Sequence, residues 1–207
     1  MTTSAAASST VFRPRSAIWF TGVVWAIVAV SLVSSVLTHG PDSLLGSWPL
    51  LTIAYVTWWL AWYPAVVIGD HQVVLRNPVR TISVPWNALV TVDTKYALTL
   101  VTPRRKYSAW AAPAPGMFGV HRARTDHVQG LPETTYGPAQ SIRPGDLANS
   151  DSGAAAYQVR KRWAELLAAD RVRIGEADSV PVGRTPNWAV LAAGTALVVL
   201  SVLTLAN

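Results

Sequence analysis

With 207 residues and no cysteine, the chain can build neither a disulfide framework nor a thiolate metal site. Its residues are 51% hydrophobic, and 17 Lys and Arg against 11 Asp and Glu leave a net charge of +6, a balance that basic soluble domains and membrane proteins share. Composition therefore excludes little, and the distribution of charge along the chain decides the class.

Residues 1–16 form an N-terminal tail ending in Arg13 and Arg15. Residues 17–37, 47–68 and 187–206 then contain no Lys, Arg, Asp or Glu. Each reaches the roughly 20 residues that a helix needs to cross ~30 Å of hydrocarbon. They are apolar on all faces, unlike a buried helix of a soluble domain, which carries a polar stripe. The first run is too long for the apolar core of a signal peptide, and the second follows within ten residues. The expectation is three transmembrane helices: an N-terminal hairpin over 17–68 and a C-terminal anchor over 187–207. Trp19, Trp48, Trp62, Tyr63 and Trp188 stand near the ends of these spans, where amphipathic rings anchor at headgroup level. Trp58 and Trp59 lie deeper and are expected against a neighbouring helix or lipid tails. Pro49 is harmless in a first turn, whereas Pro64 should loosen the last turn of the second span.

All 17 cations fall before residue 16 or between Arg76 and Arg184, and residues 38–46 have none. The cation rule then sets the N-terminus and the central domain on the cytoplasmic side of the plasma membrane and the C-terminus outside. Of the acids only Asp42 is external, so 17 cations face ten acids inside, a net +7. That excess either attracts the anionic inner leaflet or is the orientation signal itself.

Between the second and third spans, residues 69–174 are expected to form the cytoplasmic domain and 175–186 a linker. Alternation of period two predicts about five antiparallel strands in a meander. They are 71–76, then 80–84 with Ile82 and Val84 on one face, 88–93, 96–101, and 107–111 after the polar turn 103–106. Residues 113–149 are rich in Pro and Gly, lack apolar periodicity, and are expected to form an irregular loop. A helix follows over 152–170, capped by Asp151 or Ser152, with Ala156, Val159, Trp163, Leu166 and Leu167 at helical spacing.

The run Val74-Leu75-Arg76-Asn77-Pro78-Val79-Arg80, followed by Val84-Pro85-Trp86, resembles the bacterial pleckstrin-homology-like (PH-like) domains of small membrane proteins with an N-terminal helical hairpin. The motif residues are Arg76, Asn77, Pro78, Arg80, Pro85 and Trp86. The resemblance covers roughly 68–112, with 152–170 in the place of the closing helix. It implies a bent antiparallel sheet capped by one amphipathic helix, an α+β domain on a membrane protein, and binding or scaffolding rather than catalysis. The extended cationic loop that phosphoinositide-binding PH domains place between their first two strands is replaced here by Asn77-Pro78.

No catalytic constellation is nominated. His121 and His127 lack metalloprotease spacing, Gly116 to Gly119 does not make a phosphate loop, and neither a nucleophile elbow nor a carboxylate pair is recognisable. No cofactor or metal is expected. The spans carry only hydroxyls, Thr21, Ser31, Ser34, Ser35, Thr52 and Thr57, with a small-residue face at Ala192, Ala193, Gly194 and Ala196. These serve close packing either within the chain or onto another membrane subunit. Three basic clusters remain: Arg104, Arg105 and Lys106; Arg122 and Arg124; Arg160, Lys161 and Arg162. They are either solvated faces or contacts to anionic lipid headgroups or a partner protein. Nucleic acid is not an expected partner, because no recognition helix or aromatic RNA-binding signature accompanies the charge. The resulting expectation is a non-enzymatic, membrane-anchored adaptor, scaffold or accessory subunit, with an anionic-lipid-sensing module as the alternative. An enzyme or transporter would need a site in the long loop or a polar membrane cavity.

Overall fold

The computed structural model describes residues 9–114, 150–173 and 175–206. The expected loop thus lies almost wholly outside the described residues, and Arg122 and Arg124 with it. In chain order the elements are β1 (Thr10–Phe12), α1 (Arg15–His39), α2 (Trp48–Thr57), β2 (Ala65–Ile68), β3 (Gln72–Arg76), β4 (Arg80–Pro85), β5 (Thr91–Asp93), β6 (Ala97–Val101), β7 (Lys106–Pro113), α3 (Asp151–Ala168), β8 (Gly183–Pro186) and α4 (Trp188–Ala206). They divide into two compact units, one mainly of strands and one of helices.

In the helical unit, α1 (25 residues) and α4 (19 residues) are long and apolar enough to cross a membrane. α1 stops at Gly40, whose φ of 81° suits glycine and whose N–H bonds the Val36 carbonyl at 2.9 Å. The expected second span is not a full-length helix. α2 continues through a π turn, Trp58–Trp62, and ends. Residues 48–62 rise about 22 Å, short of the ~30 Å hydrocarbon core. Pro64 cannot continue the helix, and the β-branched run Val66-Val67-Ile68 that follows is strand β2. A fully buried strand and a membrane helix are both unbroken apolar runs, so residues 47–68 read as one segment.

Polar atoms join the helices. The Trp25 indole donates to the Ala54 carbonyl at 3.0 Å, linking α1 to α2. Thr52 donates to the Leu197 carbonyl at 3.0 Å and sits 2.7 Å from the Ser201 hydroxyl, while the Tyr55 hydroxyl reaches the Val190 carbonyl at 2.6 Å. Gly194 makes room for Tyr55, since a Cβ there would stand 3.2 Å from its ring. The hydroxyls of Ser31 and Thr57 instead bond back to their own helices, at the Ile27 and Ile53 carbonyls. The turn residues 78–80 belong to this unit as well. Pro78 offers its carbonyl to the Trp59 indole at 3.0 Å and to the Asn187 amide at 3.3 Å.

Among the described residues the strand unit holds eight strands rather than about five. β1-β2-β3-β4-β8 form one sheet and β5-β6-β7 a second. The register pairs Phe12 with Val66, Leu75 with Ile82, Val73 with Val84 and Leu100 with Tyr107. Ile82, Val84, Leu98, Leu100, Tyr107 and Ala109 point inward, as their alternation predicts. Two expected strand starts move. Trp86–Ala88 is a single 3-10 turn, so β5 begins at Thr91 and Val90 is exposed, and Tyr96 lies outside β6 with 78% exposure.

α3 closes the sheets, packing on β7, β6, β5 and β2 with Ala155, Ala156, Val159 and Leu166 buried. Its cap is Ser150 rather than Asp151 or Ser152, because the Ser150 hydroxyl accepts the Gly153 N–H at 2.9 Å. The expected tail and linker also contribute: β1 comes from the former and β8 from the latter.

Candidate functional site

The PH-like motif residues are structural. Trp86 is 3% exposed, and its indole donates to the Gly69 carbonyl at 3.1 Å, tying the end of β4 to the β2–β3 turn. Pro85 pairs with Gln72 at that sheet end, so the missing N–H is tolerated. Asn77 acts as a one-residue extension of strand pairing. Its amide donates to the Ser108 carbonyl and its carbonyl oxygen accepts the Trp110 N–H, both at 2.9 Å. Arg76 and Arg80 flank this turn at the end of β3 and the start of β4.

The basic clusters separate once their partners are known. Arg160 donates to the Val92 carbonyl at 2.8 Å and so fastens α3 to β5. Arg162 lies 2.6 Å from Asp70 and 3.1 Å from Glu165. Hydrogen bonds to Glu165 and Asp70 hold its guanidinium above the ordinary range, against the opposing effect of burial. Lys161 and Arg162 line a cavity of about 270 Å³ with Thr10, Ile68, Gln158 and Glu165, where the charges are largely compensated.

Arg104 and Arg105 are built differently. Buried Thr102 closes the β6–β7 turn on itself: its N–H and hydroxyl both donate to the Arg105 carbonyl, at 3.0 and 2.8 Å. Arg104 and Arg105 are both exposed on that tight turn. The Arg104 guanidinium donates to the Asp178 carbonyl at 3.2 Å, so the segment leading into β8 lies beside the turn. Between them is a cleft of about 280 Å³ lined by Arg104, Arg105 and Arg184 over Tyr107, Val180 and Val182. Lys106 is exposed at the first position of β7, next to this cleft in sequence. Arg184 was not among the residues singled out from the sequence. Its signal was its place as the last cation before an apolar helix.

Among the expected interfacial anchors, Trp19 (75% exposed) lies in the second turn of α1 and Trp188 (72%) opens α4. Trp48 opens α2, and Trp62 is half-buried with the Arg13 guanidinium 5.6 Å from its ring centroid. Tyr63 stacks obliquely with Trp58 at 5.3 Å. Among the described residues, no three His, Asp or Glu converge as a metal set.

Residues 63–126 match the family model of the bacterial PH domain. The match begins at the end of the helical hairpin and runs through β2 to β7, the strands that the motif residues organise. No curated protein and no solved structure matches the chain.

Proposed function

We propose that this bacterial PH domain is a membrane-bound interaction module: a multi-pass, non-enzymatic adaptor or accessory subunit that holds a partner protein at the bilayer. The observation that carries the reading is how often the domain's main sheet runs into apolar helices. β1 leads into α1, α2 leads into β2, and β8 leads into α4. A binding domain continuous with helices at three points of its sheet suits a fixed platform rather than a freely diffusing sensor.

The distribution of cations supports an orientation with the N-terminus and the PH domain in the cytoplasm and 38–46 outside. The pairing of β1 with β2 supports this topology, since it draws both ends of the hairpin to one side. In this topology the chain returns through α2, which is shorter than the hydrocarbon core and packs against α1 and α4, its Thr52 and Tyr55 satisfied by α4 carbonyls or hydroxyls. On α1, Val23, Ile27, Val30, Val33 and Leu37 remain exposed, an apolar surface for lipid or a second membrane subunit.

Purification of the full chain in a gentle detergent, with mass spectrometry of what accompanies it, tests the adaptor role. A stoichiometric partner protein is expected. A clean monomer or self-oligomer in several detergents contradicts it.

A further inference from the structure

We infer that the cleft between the β6–β7 turn and the segment entering β8 is a binding site for the phosphate of an anionic lipid headgroup, held by Arg104, Arg105 and Arg184. The inference goes beyond a protein-binding role and rests on the membrane attachment proposed above.

The three arginines come from two separate stretches of chain and line one cleft of about 280 Å³. Guanidinium forks match phosphate oxygens in bidentate fashion, and a planar fork loses less freedom on binding than a lysine ammonium. The rim is held before any ligand arrives. Thr102 locks the turn, Arg104 is tethered to the Asp178 carbonyl, and Arg184 sits on β8, which pairs with β4 in the main sheet. The acids nearest in sequence are Glu176 and Asp178, and Glu176 is paired with Arg173 at 3.5 Å. The floor of Tyr107, Val180 and Val182 is apolar, which suits a glycerol backbone more than a fully hydrated ion.

Chain geometry selects the lipid as source. Arg184 lies four residues before Trp188, the first residue of the apolar helix α4. Even fully extended, those four residues span about 14 Å, so the Arg184 backbone stays within headgroup reach of a helix that enters the bilayer there. The basic positions on α3 do not share this arrangement, since Arg162 is paired with Asp70 and Glu165 and Arg160 and Lys161 lie more than 25 residues before Trp188.

The test uses the full chain in phosphatidylcholine nanodiscs containing a minority of phosphatidylglycerol, with retained phosphatidylglycerol counted by native mass spectrometry after extraction. Arg104→Gln/Arg105→Gln/Arg184→Gln is compared with a charge-matched control, Lys95→Gln/Lys161→Gln/Arg171→Gln, and with Arg184→Gln alone. The cleft predicts about a tenfold loss of bound phosphatidylglycerol in the triple variant, a smaller loss for Arg184→Gln, and retention in the control. Equal loss in cleft and control variants, or none in either, overturns the site. Inorganic phosphate at matched ionic strength separates the sources. Binding to wild type in pure phosphatidylcholine discs as tight as that of phosphatidylglycerol overturns the lipid assignment in favour of a soluble phosphate. A chain missing from the membrane fraction overturns the anchoring, whereas a membrane-bound chain whose variants all retain lipid overturns only the cleft.

Discussion

Phe12 and Val66 face each other in antiparallel register, one just before the helical hairpin and the other just after it. The first strand of the main sheet therefore comes from the tail, and the hairpin is an excursion between two neighbouring strands. This makes residues 65–68 part of a folded core, and the point is measurable. Val66 is fully buried while Val67 is only half-buried. Val66→Ala should cost about 1–3 kcal/mol of stability and Val67→Ala well under half of that, read from thermal unfolding in detergent. A helix continuing through these residues would not impose that alternation, and equal effects would contradict the strand.

Asn77 supplies the second expectation. Asn77→Ala removes both bonds to β7 and should cost about 1–2 kcal/mol, with faster hydrogen exchange at the Trp110 N–H. Asn77→Asp keeps the acceptor for Trp110 and loses the donor to Ser108, so its cost should fall between alanine and wild type. An aspartate variant as damaged as alanine would show that the Trp110 bond contributes little.

The Arg162–Asp70 pair, at 2.6 Å and partly exposed, predicts a modest and salt-sensitive effect. Asp70→Asn should lower stability by about 0.5–1 kcal/mol at low ionic strength, and the difference should shrink in concentrated salt. A difference that persists in salt would mean that the hydrogen bond, rather than the charge, carries the interaction.

Burial raises the Asp151 carboxyl above its ordinary value of 3.8. The folded chain then holds this proton more tightly than the unfolded chain. The group's contribution to stability is fully present below pH 3.8 and is lost as pH rises through the raised folded-state value. Asp151→Asn should remove that slope, giving a variant at least as stable as wild type at neutral pH and melting curves that converge in acid. A variant less stable than wild type at neutral pH would reverse the sign.

The parts of the fold that could be read from the sequence share a cause. Ile82 and Val84, Leu98 and Leu100, and Tyr107 and Ala109 alternate with polar or small neighbours because one face of each strand is buried and the other is not. α3 was legible for the same reason at period 3.6. β2 was not, because Val66-Val67-Ile68 carries no alternation and adjoins an apolar helix. β1 and β8 are three and four residues long, and each acquires its identity from a neighbouring strand distant in sequence. At the site, Arg104 and Arg105 stand out as a charged turn. The difference between them and Arg160 or Arg162 lies in the carbonyls and carboxylates that each meets, which depend on tertiary pairing. Arg184 joins them only because β8 brings its segment beside the β6–β7 turn.

The absence of native cysteine makes the topology directly measurable, since each introduced thiol is the only one in the chain. Ser9→Cys, Leu45→Cys and Lys95→Cys, all at exposed positions, are to be probed in intact cells with a membrane-impermeant maleimide before and after permeabilisation. The proposed topology, with the hairpin ends joined by β1 and β2 and the PH domain in the cytoplasm, predicts labelling of Leu45→Cys from outside, and of Ser9→Cys and Lys95→Cys only after permeabilisation. Labelling of Lys95→Cys in intact cells, or of Ser9→Cys and Lys95→Cys from opposite sides, would contradict it.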